Sequence, residues 1–232
     1  RLKQINGELA SLGTKFGQNV LAEVNDSAII VDTREELAGL PEDAIAAAAE
    51  AAKARKLEGK YVLALQNTTG QPPETYLSNR ALRQRIHETS VARGSRGNAW
   101  DNTAIVSQIM KLRVERAQML GYPTYAAYSL ANQTAKSTEA VNKMLGQLAP
   151  PAVANAKLEA ADLQKVINAE QKAKGQPSFK LQPWDWAYYS EKVRQAKYDV
   201  DESAMRPYFE AERVLQDGVF FAATKLYGIT FT

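Results

Sequence analysis

Apolar positions at the start of the chain recur three and four residues apart: Leu2, Ile5, Leu9 and Gly13, then Phe16, Val20 and Val24. That period gathers them on one face, so residues 1–24 are predicted to form an amphipathic helix. Asn25-Asp26-Ser27 breaks the pattern. Ala28-Ile29-Ile30-Val31 and Tyr61-Val62-Leu63-Ala64-Leu65 are too short for helices and rich in strand formers, which predicts two strands paired as one ribbon. Between them, Thr33 with Glu36 three residues on has the spacing of a capping box. Residues 41–56 are dense in alanine, with Glu42 and Asp43 placed for a first turn, and read as a helix.

The remaining chain alternates helical runs with punctuation. A turn at 70–73 precedes a helix over 74–93, with Leu82 and Ile86 as an i,i+4 pair, and 93–98 is a loop. Asp101 or Asn102 caps a helix over 103–120, whose seam reads Val106, Met110, Arg113, Ala117 and Leu120, and Gly121 ends it. Thr124 opens a short helix, and Ser137 caps another carrying Val141, Leu145 and Leu148. Pro150-Pro151 should kink or restart that helix. The run 153–174 is expected to bury Leu158, Leu163, Val166 and Ile167, and Gly175 stops it. Pro183 takes the first position of a helix reaching about Lys197. Asp201 caps the next piece, and 207–227 closes the chain before Gly228. With no internal repeat and no low-complexity linker, the expectation is one helical region over 1–232, mainly α with at most a short two-stranded β ribbon.

Composition narrows the chemistry. The 232 residues are 45% hydrophobic and 24% charged, with no cysteine and a single histidine. Disulfides, thiolate metal sites and a cysteine nucleophile are excluded. His87 alone supports neither a multi-histidine zinc site nor a triad built on another histidine. A net charge of +3 from 29 basic and 26 acidic residues demands neither nucleic acid nor an anionic membrane. No apolar run approaches the roughly 18 residues of a membrane span. Arg1 opens the chain with neither an initiator methionine nor a signal-like stretch, so the segment reads as cut from something longer.

Five features invite a site. His87 precedes Glu88 on a helix with Arg80, Arg83 and Arg85, but a helical zinc pair wants a second histidine at i+4, where Val91 stands. His87 is therefore read as a solvated residue on a helix face. Asp199, Asp201 and Glu202 lack the further oxygen ligands and glycine of a calcium loop, and capping accounts for Asp201. The loop Arg93-Gly94-Ser95-Arg96-Gly97-Asn98 follows a helix and lacks the lysine of a phosphate loop. It is read as a basic connection, with an anion or peptide-carboxylate contact as the alternative. Arg113 lies on the apolar seam and should be buried against a carboxylate, Glu115 or Asp101, since an unpaired buried charge is costly. In Trp184-Asp185-Trp186-Ala187-Tyr188-Tyr189, helical spacing pairs Trp184 with Tyr188 and Trp186 with Tyr189, and Asp185 sits where the helix dipole favours negative charge. An aromatic core is expected. A stacking platform for nucleic acid would want interleaved basic residues, whereas Lys192 and Arg194 only follow.

The order of segments resembles the thimet-oligopeptidase-like (M3) zinc metallopeptidases. The resemblance rests on Asn79-Arg80-x-x-Arg83, Arg93-x-x-x-Gly97, Asp101-Asn102, Leu112-Arg113-x-Glu115-x-Ala117-x-x-Leu120-Gly121-Tyr122 and Ala135-Lys136-Ser137, within residues 79–137. It continues through 182–231 and includes the opening RLKQINGELASLGTKFGQNVL, with GLPEDAI and GKYVLAL behind it. The bacterial peptidyl-dipeptidase branch is the nearest likeness. Members carry His-Glu-x-x-His and a further glutamate as zinc ligands, and no second histidine exists here. The resemblance therefore implies a fragment without the zinc-binding domain. No catalytic or metal residue carries over, and the substrate-binding residues stay unassigned.

For the intact protein the resemblance implies zinc, short peptides as substrates, release of C-terminal dipeptides and a cytoplasmic location. For this chain it implies a channel wall that binds no zinc and whose partner is the missing catalytic domain, with neither nucleic acid nor membrane involved. Two alternatives remain. One is a free-standing helical scaffold or adaptor binding a protein. The other is a nucleic-acid binder using the arginines between Arg80 and Arg96, against which the mild charge argues.

Overall fold

The computed structural model describes residues 1–66, 68, 70–198 and 205–231, without the side chain of Arg206. The chain divides into two compact units, Arg1–Ser190 and Glu191–Thr232. It is mainly α with one two-stranded antiparallel ribbon, as the periodicity predicts.

In the first unit, α1 (Leu2–Asp26) leads into β1 (Ile29–Val31), a 3₁₀ turn (Glu35–Leu37) and α2 (Glu42–Ala54). β2 (Tyr61–Leu63) returns antiparallel to β1, setting Ile29 opposite Leu63 and Val31 opposite Tyr61. Strand alternation buries Ile29 and Val31 and leaves Ile30 outside, and α2 covers the ribbon. Leu37, Ile45, Leu77, Leu82 and Ile86 fill the same core. Each fully buried aliphatic side chain there contributes roughly 1.5–3 kcal/mol. Half of the capping box forms: the Thr33 N–H donates to Glu36 Oε1 at 3.2 Å, but the Thr33 hydroxyl donates to that same oxygen instead of accepting from the turn.

The helix expected over 74–93 is two helices, α3 (Pro73–Tyr76) and α4 (Arg80–Val91). Asn79 causes the break, because its side chain accepts from the Leu82 N–H at 3.1 Å and caps a new start. Gly39 makes this junction possible. Its φ of +98° lets the backbone pass so close that an added Cβ would lie 2.2 Å from the Tyr76 carbonyl oxygen.

α5 (Thr103–Met119) packs on α1 and buries Ile105, Leu112 and Ala117. The seam expected at Val106, Met110 and Leu120 faces outward; only Ala117 belonged to both sets. Ile105, Ile109 and Leu112 follow the same three- and four-residue rhythm one position earlier, so periodicity alone could not choose between the faces. Thr124 caps α6 (Tyr125–Leu130), and Ser137 caps α7 (Thr138–Ala173), as predicted.

α7 runs through Pro150-Pro151 without restarting. The carbonyls that two proline nitrogens cannot satisfy belong to Gly146 and Gln147, which are exposed and reach water. Leu163 and Ile167 of α7 are buried as expected, whereas Leu158 is 69% exposed. α8 (Pro183–Tyr198) begins on its proline.

In the second unit, Glu210 caps α9 (Ala211–Arg213), accepting from the Arg213 N–H at 2.7 Å. A π-helical stretch (Val214–Phe220) joins it to α10 (Phe221–Tyr227), which ends at left-handed Gly228. The helix expected over 207–227 starts later because Pro207 lies in a 3₁₀ turn (Arg206–Phe209). Asp199, Asp201 and Glu202 lie outside the described residues. Among the described residues no helix is long and apolar enough to cross a membrane.

Candidate functional site

A heavily paired polar cluster joins α4 to the start of α8. Starting α4 at Asn79 puts Arg80 and Arg83 on one face and His87 a turn further on. Pro183 starts α8 and places Asp185 in its first turn, fully buried. Asp185 accepts from Arg80 Nε at 2.9 Å and Nη2 at 2.8 Å, from Arg83 Nη2 at 3.0 Å and from the Gln182 N–H at 3.1 Å. Arg83, with a side chain 1% exposed, also donates to the carbonyls of Leu77 at 2.7 Å and Trp184 at 3.1 Å. The buried, carboxylate-paired arginine is thus Arg83 and not Arg113.

Aromatic rings complete the cluster around cations. Arg80 lies 4.1 Å from the Phe179 ring centre, and Arg83 lies 4.2 Å from that of Tyr188. The expected Trp184–Tyr188 pairing is replaced by an Arg80–Trp184 contact at 5.6 Å and an edge contact of Trp184 with His87 at 6.2 Å. Tyr189 is buried, in edge contact with Tyr188 at 5.1 Å, rather than paired with Trp186. Burial, reinforced by Glu170, pushes the Tyr189 hydroxyl up to about 12. Trp184 and Tyr188 are each partly covered, not a common buried pair.

His87 is not the solvated residue expected. Its Nδ1 is 3.4 Å from Glu74 Oε2, and its side chain is 24% exposed. Desolvation raises the Glu74 carboxyl above its ordinary value, with His87 opposing the shift. Glu74 Oε1 and Trp184 Nε1 are buried without hydrogen-bond partners. One imidazole beside one carboxylate does not make a hydrolytic zinc site, and among the described residues no group of three potential metal ligands exists.

The loop 93–98 is a structural connection. Arg96 donates to buried Glu23 at 2.6 Å, to the Ser27 hydroxyl and to the Thr89 carbonyl, while Gly94 N–H also donates to Glu23. Arg93 donates to the Gln66 carbonyl at 2.7 Å. Asn102 bonds Asn19 at 2.9 Å and the Phe16 carbonyl at 3.2 Å, which ties the loop to α1. Both arginines are thus spent on protein groups.

Arg113 is half-buried and is not paired with either expected carboxylate. Glu115 is held by Arg1 through two 2.6 Å bonds, and Asp101 accepts from the Gly97 and Thr103 N–H groups. Arg113 instead sits 4.9 Å from the Tyr125 ring centre. Beside it, Arg116 Nη2 donates to the Tyr128 hydroxyl at 2.9 Å. Tyr122 meets Tyr128 edge-on at 5.3 Å, and Tyr125 lies 6.0 Å from Tyr128. Sequence reasoning missed this cluster, although tyrosines at 122, 125 and 128 just after two arginines a helical turn apart were the available signal.

The segments that carry the resemblance are thus the joints of the fold: the start of α4, the pinned loop, the end of α5 and the cap of α7. Comparison with known proteins agrees. The sequence pattern of peptidase family M3 matches residues 74–232. The chain is 39% identical over 231 residues to dipeptidyl carboxypeptidase of Escherichia coli (strain K12), covering 100% of this chain and 33% of that protein. It is 37% identical over 234 residues to oligopeptidase A of the same organism, covering 99% of this chain and 33% of the relative. An organellar oligopeptidase A of Arabidopsis thaliana is 34% identical over 232 residues, covering 97% of this chain and 29% of the relative. The chain therefore spans about a third of the length of the curated relatives it matches.

Proposed function

This chain belongs to peptidase family M3, and on that premise we propose that it is a non-catalytic helical channel wall of a zinc-dependent peptidyl-dipeptidase. The whole protein would hydrolyse short peptides and release dipeptides from their free C-termini. One observation carries the reading: identity to a dipeptidyl carboxypeptidase runs through 100% of this chain but only 33% of that relative. Catalysis is then assigned to the remaining two thirds.

The chemistry of the residues supports that division. A mononuclear hydrolytic zinc site needs about three protein ligands and an open position for water. With one histidine and no cysteine, this chain does not fit the metal. Zinc and its ligands are assigned to the rest of the polypeptide, and no catalytic step is placed here. The exposed apolar residues support the same picture. α7 turns Met144, Leu145, Leu148, Val153 and Leu158 to solvent, each more than half exposed. Large exposed apolar surfaces mark interaction sites, and the proposed occupant is the remainder of the same polypeptide. A cytoplasmic location is part of the proposal.

The test is a pair of assays. The purified 232-residue chain is expected to bind no stoichiometric zinc and to release no dipeptide from a blocked tripeptide. A polypeptide extended to the relatives' length is expected to show chelator-sensitive dipeptide release. Turnover by the short chain, free of host peptidase, would overturn the assignment, as would an extended polypeptide that is inert with zinc bound.

A further inference from the structure

Two guanidinium groups one turn apart on α5 rest on tyrosine rings instead of carboxylates. Arg113 lies 4.9 Å from the Tyr125 ring centre, and Arg116 lies 5.2 Å from that of Tyr128. Among the described residues neither arginine has an ion-pair partner, since Glu115 is occupied by Arg1. Arg116 uses Nη2 on the Tyr128 hydroxyl, but its Nε is buried with no acceptor. Both side chains are only partly covered, so a ligand can reach them.

The ring faces offset part of the cost of desolvating these cations. They supply no acceptor in the plane of the guanidinium N–H groups, where a planar oxyanion bonds two donors at once. The Arg113 guanidinium, which has no hydrogen-bond or ion-pair partner among the described residues, is therefore left where a carboxylate would satisfy it. The buried Nε of Arg116, by contrast, lies out of a ligand's reach.

The border of the site bears on what carries that carboxylate. Met119 and Leu120 follow Arg116 by three and four residues on the same helix face, and are 48% and 39% exposed. Together with Tyr122, they give the cationic pair an apolar margin. A carboxylate attached to a peptide brings side chains and backbone to cover that margin, which a small hydrated anion does not.

We propose that Arg113 and Arg116, with Tyr122, Tyr125 and Tyr128, form a binding site for a carboxylate carried on a peptide segment. The carboxylate is either a peptide's C-terminus or an aspartate or glutamate side chain, which share the same chemistry. The site stands on its own geometry and does not depend on the peptidase reading.

Calorimetry on the 232-residue chain tests it with three probes: an acetylated Ala-Ala-Phe with a free C-terminus, its C-terminal amide, and an amide in which the central residue is glutamate. The free acid is expected to bind at least about tenfold more tightly than the neutral amide, a factor equivalent to ~1.4 kcal/mol. Binding of the glutamate amide as well assigns the site to any carboxylate. If only the free acid binds, the ligand is a terminal carboxylate; if only the glutamate amide binds, it is a side chain. Arg113→Gln and Arg116→Gln should each bring carboxylate binding down to the level of the neutral amide, with unchanged circular dichroism. Should Arg116→Gln fail to fold, Arg113→Gln carries the test alone, because among the described residues its guanidinium has no hydrogen-bond or ion-pair partner and rests on the Tyr125 ring. Equal binding of all three probes, no binding of either carboxylate probe, or Arg113→Gln binding like the wild type would overturn the proposal.

Discussion

Asp185 is a single buried carboxylate on which two arginines and the start of a helix converge. Its own stabilising worth is modest, because desolvating an ion pair offsets much of the Coulomb attraction. Breaking it is another matter, since Arg83 would then be left buried and uncompensated. Asp185→Asn is expected to lower stability by about 3–5 kcal/mol in chemical denaturation, with little change in slope. A loss below about 1 kcal/mol would mean that water replaces the carboxylate.

Glu74 gives the opposite sign. Its carboxyl is raised on folding, so the native state holds that proton more tightly than the unfolded chain does. Its stabilising contribution is complete below the ordinary value of 4.5 and is lost as pH climbs through the raised one. At neutral pH the charged form is a burden. Glu74→Gln is therefore expected to raise the melting temperature at pH 7, with the gain shrinking to nothing on acidification to the ordinary carboxyl range. Parallel melting profiles across that range would show that Glu74 is not perturbed by burial. Sequence could not show either effect. It placed Asp185 correctly in a first turn, but its partners Arg80 and Arg83 stand more than a hundred positions away.

At the scale of elements, local signals are legible in the sequence and the choice of buried face is not. Caps at Thr124 and Ser137 and the proline start of α8 depend on neighbours within a few residues, so their chemistry is visible in the chain. The ribbon's two β-branched runs are visible by composition, although Ile29 pairs with distant Leu63. Which face of α5 is buried depends on α1, a contact nearly a hundred residues distant, and two rhythms one position apart fit the sequence equally. The same limit hid the break at residues 77–79. Asn79 was available as a cap, but the demand for one comes from Gly39, which admits the Tyr76 carbonyl. Gly39→Ala should then disturb the α3–α4 junction as well as its own turn. Left-handed strain costs of order 1–3 kcal/mol, and the 2.2 Å approach forces a backbone shift besides. Loss of at least about 2 kcal/mol is expected by denaturation. A neutral substitution would show that the turn relaxes freely.

For the whole molecule, the division between what is packed and what is bare decides behaviour. Core residues such as Leu77 and Ile86 are sealed, and the joints around Asp185 and Glu23 are saturated with hydrogen bonds. The first half of α7 and residues 211–227 are different, because most of their large apolar side chains face solvent. Opening such segments exposes little additional apolar surface, so little free energy opposes it. Native-state hydrogen exchange on the 232-residue chain should accordingly show a steep contrast. Amides of α4 around Leu82 and Ile86 should be protected by about the full unfolding free energy, while those of residues 141–158 and 211–227 exchange orders of magnitude faster. In a polypeptide extended to the length of the relatives, both fast segments should become slow, because the proposed remainder covers their apolar faces. Binding a partner stabilises only the form it recognises, so the change should be confined to those segments and leave α4 nearly unaltered. Slow exchange of residues 141–158 in the short chain would mean that α7 is stable uncovered. The exposed stripe would then give no support to a covering domain, and the channel-wall reading would rest on sequence identity alone.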